Sequence, residues 1–361
     1  MPIPTASMGF VGSVRFNGGN IGQEIVVRAL SCNISAKQNI EYPDVVDGRI
    51  DNTLYQLGPR TVDGDCEFPL VHEGINLGSS KICNPEATCA NNLANRLWGI
   101  AAARDQVGRL TSQFNVDVRY TDNTAFRYPN CIINTMKIGV NQSEPVRVSF
   151  GVIGGASVTD SVREPLTSER DPTFLSPARI ITWNDFRINV FIDEAGLTIP
   201  GSYIRRFEVT LNNNAERFYT LNGKLIPQDI TAQKRNISGS MALMGFSAKQ
   251  FHDFIYNNQQ RFTSQSKIAF GYTLGSSVVP YWATALWGVI FQIEEVAISN
   301  GIVETMIPFR ALGDCENAYE AISMGACNQS VDVSPGAVGS AAFGGETAPT
   351  YFTPFSGFTP A

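Results

Sequence analysis

The residues of this chain that could do chemistry are few and scattered. His72 stands beside Glu73, and His252 stands beside Asp253, so each histidine has a carboxylate next to it for proton exchange. A solvated or packed histidine explains either pair equally well. The sequence has no Gly-x-Ser-x-Gly elbow, no His-Glu-x-x-His pair and no Walker loop. Gly18–Gly22 lacks the lysine and the strand-to-helix context of a phosphate loop. These patterns predict no enzyme and no cofactor.

The seven cysteines are an odd number spread along a long chain. Such usage argues against a disulfide framework and fits synthesis in a reducing compartment. Cys83 and Cys89 do not have the spacing of a zinc-binding pair. We therefore expect no metal site, and either free thiols or one disulfide that forms late.

Glu294 and Glu295 form the one adjacent pair of carboxylates inside an otherwise apolar strand. Two structural interpretations are a β-bulge and a break in register that turns the pair to solvent. The functional alternative is negative charge displayed on a surface past which an anionic polymer moves.

The composition describes an ordered, strand-rich protein. The chain has 361 residues, of which 43% are hydrophobic and 17% charged, and it is rich in glycine and proline. Its length allows two domains with proper cores. The net charge of −6, without a sustained basic patch, disfavours ordinary nucleic-acid binding.

Two long hairpins are the strongest local signals. Val289–Phe309 reads as two strands joined at Ser299-Asn300-Gly301, and Asn-Gly supplies the positive φ values of a tight turn. Cys131–Phe150 shows the same order of strand, polar turn and strand. Phe150 and Gly154 align with Phe309 and Gly313 at one common offset, and Val62 and Gly64 align with Ile237 and Gly239 at another.

The elements around the hairpins recur in the same order. Helices are expected at Ala90–Ala103 and Ser247–Asn258, and a polar arm at Asp44–Gly58. Further strands are expected at Phe10–Phe16, Ile25–Ser35, Thr61–Leu70, Phe114–Thr121, Ile188–Ile192, Ile204–Leu211, Arg235–Leu243 and Lys267–Thr273.

The recurrence predicts a mainly β fold written twice, as two tandem sandwich- or barrel-like domains, each with a short flanking helix and a long hairpin. The expected divisions are copy 1 at 1–157 with an insertion at 72–90, a linker at 158–175, copy 2 at 176–313, and a Gly/Ala/Pro-rich extension at 314–361.

Two segments bear on location. Gly271–Ile293 carries no charge, but its turn residues and β-rich second half favour a strand, a loop and a strand over a membrane span. The N-terminus lacks the pattern of a signal peptide.

The C-terminal extension cannot form a core of its own. Its aromatic residues would anchor it to neighbouring subunits; they are Tyr351, Phe352, Phe355 and Phe358.

The paired domains resemble the tail tube proteins of tailed bacteriophages, over roughly residues 20–313. The resemblance is strengthened by Asn33–Asn39, which leads into the polar arm and then a strand, and by Leu211–Ala215, which begins the same series again. It implies a structural subunit that assembles into stacked rings, with hairpins that merge into one barrel around a channel. Closure of the ring would pair every exposed strand edge.

The resemblance also implies partners and a place. A duplicated member would form trimeric, pseudo-sixfold rings that enclose a tape-measure protein and, transiently, DNA. Sheath, terminator and baseplate proteins are further possible partners. The protein would belong to the virion tail and to the host cytoplasm during assembly, with no membrane partner. Candidate channel-lining residues are Glu144, Glu294, Glu295 and Glu304, and Asn300 and Gly301 are candidate assembly contacts.

Two other interpretations remain open at this stage. A tail-terminator or baseplate-hub ring protein could use the same fold. A surface-binding β-sandwich adhesin would instead present a secretion signal or a receptor site with clustered aromatic residues.

Overall fold

The fold is described from a computed structural model, for residues 13–17, 25–27, 29–41, 55–72, 97–98, 101, 113–121, 124–155, 164–165, 179–192, 197–221, 224–244, 266–272, 282–292, 297–299, 302–312 and 322–324. The strands of the first part of the chain are β1 (Ser13–Asn17), β2 (Ile25–Val27), β3 (Ser31–Cys32), β4 (Ser35–Glu41), β5 (Gln56–Pro69), β6 (Val71–His72), β7 (Phe114–Thr121), β8 (Thr124–Asn141), β9 (Arg147–Gly154) and β10 (Glu164–Pro165).

The second part of the chain adds β11 (Arg179–Ile180), β12 (Phe186–Ile192), β13 (Leu197–Pro200), β14 (Ile204–Asn212), β15 (Ala215–Phe218), β16 (Asp229–Ala232), β17 (Asn236–Met244), β18 (Lys267–Tyr272), β19 (Trp282–Trp287), β20 (Val289–Phe291), β21 (Ala297–Ser299), β22 (Ile302–Ala311) and β23 (Ile322–Met324). A 3-10 turn at Gly201–Tyr203 precedes β14. The mainly β fold class is thus confirmed.

One long sheet runs through both parts of the chain. Its order is β4, β5, β9, β8, β14, β17 and β22; β3 continues beside β5, and both β20 and β21 pair with β22. Both expected hairpins lie in it, as β8–β9 and as β20 and β21 with β22. The described strands of one chain do not close into a barrel.

Strand β8 belongs to two sheets because it bends near its middle. Its first part pairs with β7 and β10, whereas its second part pairs with β9 and β14. Asn130 lies at the bend with φ 50°, a left-handed conformation that asparagine tolerates better than most residues. The second part of the chain makes the same change between β19 and β20, at Gly288 with φ 59°.

The strand orders of the two parts coincide. The order β4, β5, β9, β8 is followed by β14, β17, β22, β20 with β21 in the long sheet. The remaining strands of the first part have the order β2, β1, β7, β8, β10. This order matches that of a separate five-stranded sheet in the second part, which is β13, β12, β18, β19, β23. Each part therefore has one set of strands in the long sheet and a second set packed against it.

Two sequence expectations need correction. Ile25–Ser35 is not one strand: β2 pairs with β1, whereas β3 and β4 pair with β5, so the chain changes sheet between them. The offset of Gly64 and Gly239 is not consistent with that of Phe150 and Phe309. Phe150 lies opposite Cys66, and Phe309 lies opposite Gly239, so aligning the two phenylalanines places Gly239 on Cys66 and not on Gly64.

The core contains aliphatic side chains and a series of aromatic ones from the facing sheets. In the first part, the ring centroids of Phe16 on β1 and Phe150 on β9 are 4.9 Å apart. In the second part, the ring centroid of Phe207 on β14 lies 5.1 Å from that of Phe270 on β18 and 5.9 Å from that of Phe309 on β22. Each such aromatic pair adds about 0.5–1.5 kcal/mol to the stability of the fold, beyond the contribution from burying its apolar surface.

The described residues of the first expected helix lie between the two parts. Leu97, Trp98 and Ala101 are helical and buried. The Trp98 ring lies 5.8 Å from that of Phe270, so this segment packs on the core of the second part. The expected helix at Ser247–Asn258 lies outside the described residues.

The described parts of the apolar stretch Gly271–Ile293 belong to β18, β19 and β20. Among the described residues, no helix is long and apolar enough to cross a membrane.

Candidate functional site: the edges and outer face of the long sheet

The long sheet has two edges in the described part of the chain. Among the described strands, β4 pairs only with β5, and β20 and β21 pair only with β22. The Asn33 N–H donates to Asp65 O at 3.0 Å, and the Gln292 N–H donates to Pro308 O at 2.8 Å, both into the sheet.

A junction inside the chain shows how such edges meet. The second part of β8 pairs antiparallel with β14, from Asn141 opposite Arg206 to Thr135 opposite Asn212. The Asn213 N–H extends the ladder by donating to Asn134 O at 2.7 Å. Strand β8 closes the first set of long-sheet strands and β14 opens the second, so this junction joins the end of one set to the start of the other.

Asn213 also fixes the helical segment to this junction. Its buried side-chain Nδ2 donates to Ala101 O and to Ile133 O, each at 2.9 Å. Both carbonyl groups thereby accept a hydrogen bond from a buried side chain. This avoids the free-energy cost of leaving a buried acceptor unpaired.

A second contact is made by the β15–β16 hairpin, which crosses the first part of the chain. The Arg217 guanidinium donates to Val62 O at 2.6 Å, to Asp63 Oδ1 at 2.5 Å and to Gly154 O at 3.2 Å. Arg60 N–H donates to Leu225 O at 2.7 Å. The contact is directional, because the planar guanidinium binds three acceptors in one arrangement.

The outer face of the long sheet carries charges of both signs. Glu67 Oε1 lies 3.2 Å from Arg147 Nη1, and Glu208 Oε1 lies 2.9 Å from Lys137 Nζ across the β8–β14 junction. Exposed pairs of this kind contribute about 0–1 kcal/mol each. Their effect is to balance the charge of the face, because Lys137 and Arg147 are each paired with a carboxylate.

The structure describes two of the predicted channel-lining residues. Glu144 lies in the turn between β8 and β9, where its Oε2 accepts a hydrogen bond from Asn141 Nδ2 at 3.0 Å. Glu304 lies on β22, opposite Met244 on one side and Ala297 on the other. The other predicted site residues lie outside the described part of the chain; they are Glu294, Glu295, Asn300, Gly301, Tyr351, Phe352, Phe355 and Phe358.

The strands flanking Glu294 and Glu295 change register by one residue. Phe291 lies opposite Phe309, and Ala297 lies opposite Glu304, so the β20–β21 side holds one residue more than β22 between these pairs. A one-residue excess is what a β-bulge produces. Glu294 and Glu295 themselves lie outside the described residues, so their role stays a prediction.

Several features of this site were not found from the sequence. The β8–β14 junction and the Arg217 contact join residues far apart in the chain, and neither has a local motif. The polar run Asn212-Asn213-Asn214 was the one available signal, and it suggested only the start of an arm. Among the described residues, no group of three or more His, Cys, Asp or Glu side chains could hold a metal ion.

Comparison with known proteins gives one family. The model of the phage tail tube protein family matches residues 35–301, which is most of the chain and includes the first hairpin and the outgoing side of the second. No curated protein matches the sequence.

Proposed function

Because the chain belongs to the phage tail tube protein family, we propose that it is the structural subunit of a bacteriophage tail tube, assembled from rings that stack around a channel for genome delivery. The observation that carries the ring is the β8–β14 junction. It joins two sets of strands of the same order, and among the described strands each end of the long sheet pairs on one side.

The matching strand orders support two tandem copies of one tail tube domain. If the domain is repeated, β4 of one chain corresponds to β14, and β20 with β21 corresponds to β8. The same junction can then form between chains, with the β20–β21 edge of one subunit against the β3–β4 edge of the next. Contacts of this head-to-tail kind form closed rings when the rotation closes.

The internal junction also supplies the register of the contact between chains. Met136 lies opposite Leu211 and Thr135 lies opposite Asn212. The ladders of β5 with β9 and of β17 with β22 align the two sets of strands. In this alignment Met136 corresponds to Phe291 and Leu211 to Ile34, so Phe291 would lie opposite Ile34. In the same way Ile290 would lie opposite Ser35.

The size of such a ring suits a channel. Three chains would contribute six domains of four long-sheet strands each, or about 24 strands. At about 4.8 Å between strands and a tilt of about 40°, the wall would be about 50 Å across between backbones. That width admits a DNA duplex or a tape-measure protein after the side chains are subtracted.

Partners follow from this role. The proposed lumen holds the tape-measure protein first and DNA later, while terminator, baseplate and sheath proteins are proposed to contact the ends and outside of the tube. Asn300, Gly301 and the aromatic residues of the extension remain proposed contacts between subunits. The site of function would be the virion tail, after assembly in the host cytoplasm.

Electron microscopy of the purified protein tests the proposal. Hollow polymers on the order of ten nanometres wide, as expected for domain layers around a channel, support the tube. Isolated rings would instead indicate a terminator or hub protein, and monomers at all concentrations would contradict both.

Engineered disulfides test the register in the same material. We expect Ser35→Cys with Ile290→Cys to give covalent oligomers under oxidation in assembled protein. The matched control is Thr135→Cys with Asn212→Cys, the corresponding pair inside one chain, which should close even in monomers. Closure of the control without any cross-link between chains in polymers would exclude this register.

The channel-lining role of Glu144, Glu294, Glu295 and Glu304 remains a proposal. A wall that repels phosphate lets DNA pass without binding it. Replacing Glu294 and Glu295 with lysine should leave tubes intact but lower DNA delivery per virion, measured by the release of phage DNA into cells. Unchanged delivery from intact lysine-bearing tubes would remove this pair from the wall.

A further inference from the structure

The first edge of the long sheet contains two cysteines directly opposite each other. Cys32 on β3 pairs with Cys66 on β5, and both thiols are free. Cys66 is buried in the core, whereas Cys32 is half-buried at the edge. Neither residue has been given a role by the tube function.

The ladder places this pair at a position suited to a bond. The Asn33 N–H donates to Asp65 O at 3.0 Å, so the backbone bonds fall on the neighbouring pair and Cys32–Cys66 is a non-hydrogen-bonded pair. The Cα atoms of such pairs are about 4.5 Å apart. Disulfides span Cα separations of about 4.4–6.8 Å, so the bond can form without moving the backbone far.

We propose that Cys32 and Cys66 are the site of a cross-strand disulfide, which closes by exchange with a small-molecule disulfide such as oxidised glutathione once the protein leaves the reducing cytoplasm. The Cys32 thiolate attacks one glutathione sulfur, forms a mixed disulfide and expels a glutathione thiolate. The Cys66 sulfur then loses its proton and attacks the Cys32 sulfur, and the second glutathione leaves. One oxidised glutathione is reduced to two thiols for each protein disulfide formed.

The environments of the two sulfurs assign this order of attack. The Cys66 thiol donates a hydrogen bond to Cys32, which lowers the pKa of Cys32 and favours its thiolate. The same bond, together with burial, raises the pKa of Cys66. Cys131, buried completely elsewhere in the core, also has a raised pKa, chiefly because of desolvation, and has no described cysteine opposite it.

The consequence would be a covalent link between an edge strand and the interior of the long sheet. Strand β3 is only two residues long and forms part of the β3–β4 edge at which the next subunit is proposed to bind. A disulfide there holds that edge in the pairing conformation after release of the virion. The link concerns a single chain, so it does not depend on whether tubes form.

Peptide mapping of the full-length protein tests the site. The protein is purified under reduction, treated with oxidised glutathione, alkylated and cut with trypsin. We expect the peptides 29–37 and 61–81, each with one cysteine, to appear joined and lighter by two hydrogens than their sum. Dithiothreitol should separate them.

Variants distinguish this bond from adventitious oxidation. Cys66→Ser should remove the joined peptides and leave Cys32 as a mixed disulfide with glutathione, whereas Cys131→Ser should change nothing. The inference fails if wild-type protein keeps both thiols alkylatable, carries glutathione on Cys32 alone, or joins Cys32 to another cysteine. Because the subunit is tested alone, such a failure leaves the tube proposal intact.

Discussion

Replacing Ala36 with proline is expected to abolish tube assembly and to leave the subunit folded. Alternation from Asn33 turns the Ala36 N–H away from β5, so proline removes no bond of the β4–β5 ladder. Its counterpart at the internal junction is Asn213, whose N–H donates to Asn134 O at 2.7 Å. Loss of that bond between chains, with its acceptor left unpaired, costs about 2–4 kcal/mol, or roughly a hundredfold in the dissociation constant of each contact.

Ala36→Gly is the matched control, because it changes the same side chain and keeps the N–H. Sedimentation and electron microscopy should find polymers for the glycine variant and soluble subunits for the proline variant. Circular dichroism and thermal melting report separately on folding. Proline-variant tubes that form at the wild-type concentration would show that this edge is not the contact.

Phe207→Ala is expected to lower the free energy of unfolding by about 3–5 kcal/mol, the usual loss for a large aromatic residue in a packed core. Phe207 is 2% exposed and lies between Phe270 on the facing sheet and Phe309 on the neighbouring part of the long sheet. Its removal leaves a cavity at the point where both sheets of the second part meet.

Chemical denaturation of the purified subunit measures this loss. Phe218→Ala is the control, because Phe218 is 54% exposed on β15, and substitutions at such positions usually change stability by less than about 0.5 kcal/mol. Equal losses in the two variants would contradict the position of Phe207 in the core.

Local patterns of the sequence predict the strands well and their partners poorly. The hairpins Cys131–Phe150 and Val289–Phe309 were found because alternation and turn residues are local signals. Ile25–Ser35 shows the limit: its β-branched residues give one continuous pattern, although β2 and β3 belong to different sheets. Periodicity identifies the buried face of a strand, and it contains no information about which strand lies beside it.

The candidate site was predictable only in outline. Glu144 was correctly assigned to a hairpin turn, whereas Glu294 and Glu295 lie outside the described residues. Arg217 could not be identified, because its acceptors at Val62, Asp63 and Gly154 are set by the crossing of a hairpin over distant strands. Cys32 and Cys66 likewise meet only because of the register of β3 against β5.

The β8–β14 junction has a further thermodynamic consequence. Each association between separate molecules costs about 4–15 kcal/mol in translational and rotational freedom. A junction made within one chain avoids this cost, because its two edges are already tethered at a high effective concentration. In the proposed ring every second junction lies within one chain. The ring therefore needs half as many associations between separate molecules as a ring in which every junction joins two molecules. Open arcs that expose an unpaired strand are correspondingly short-lived.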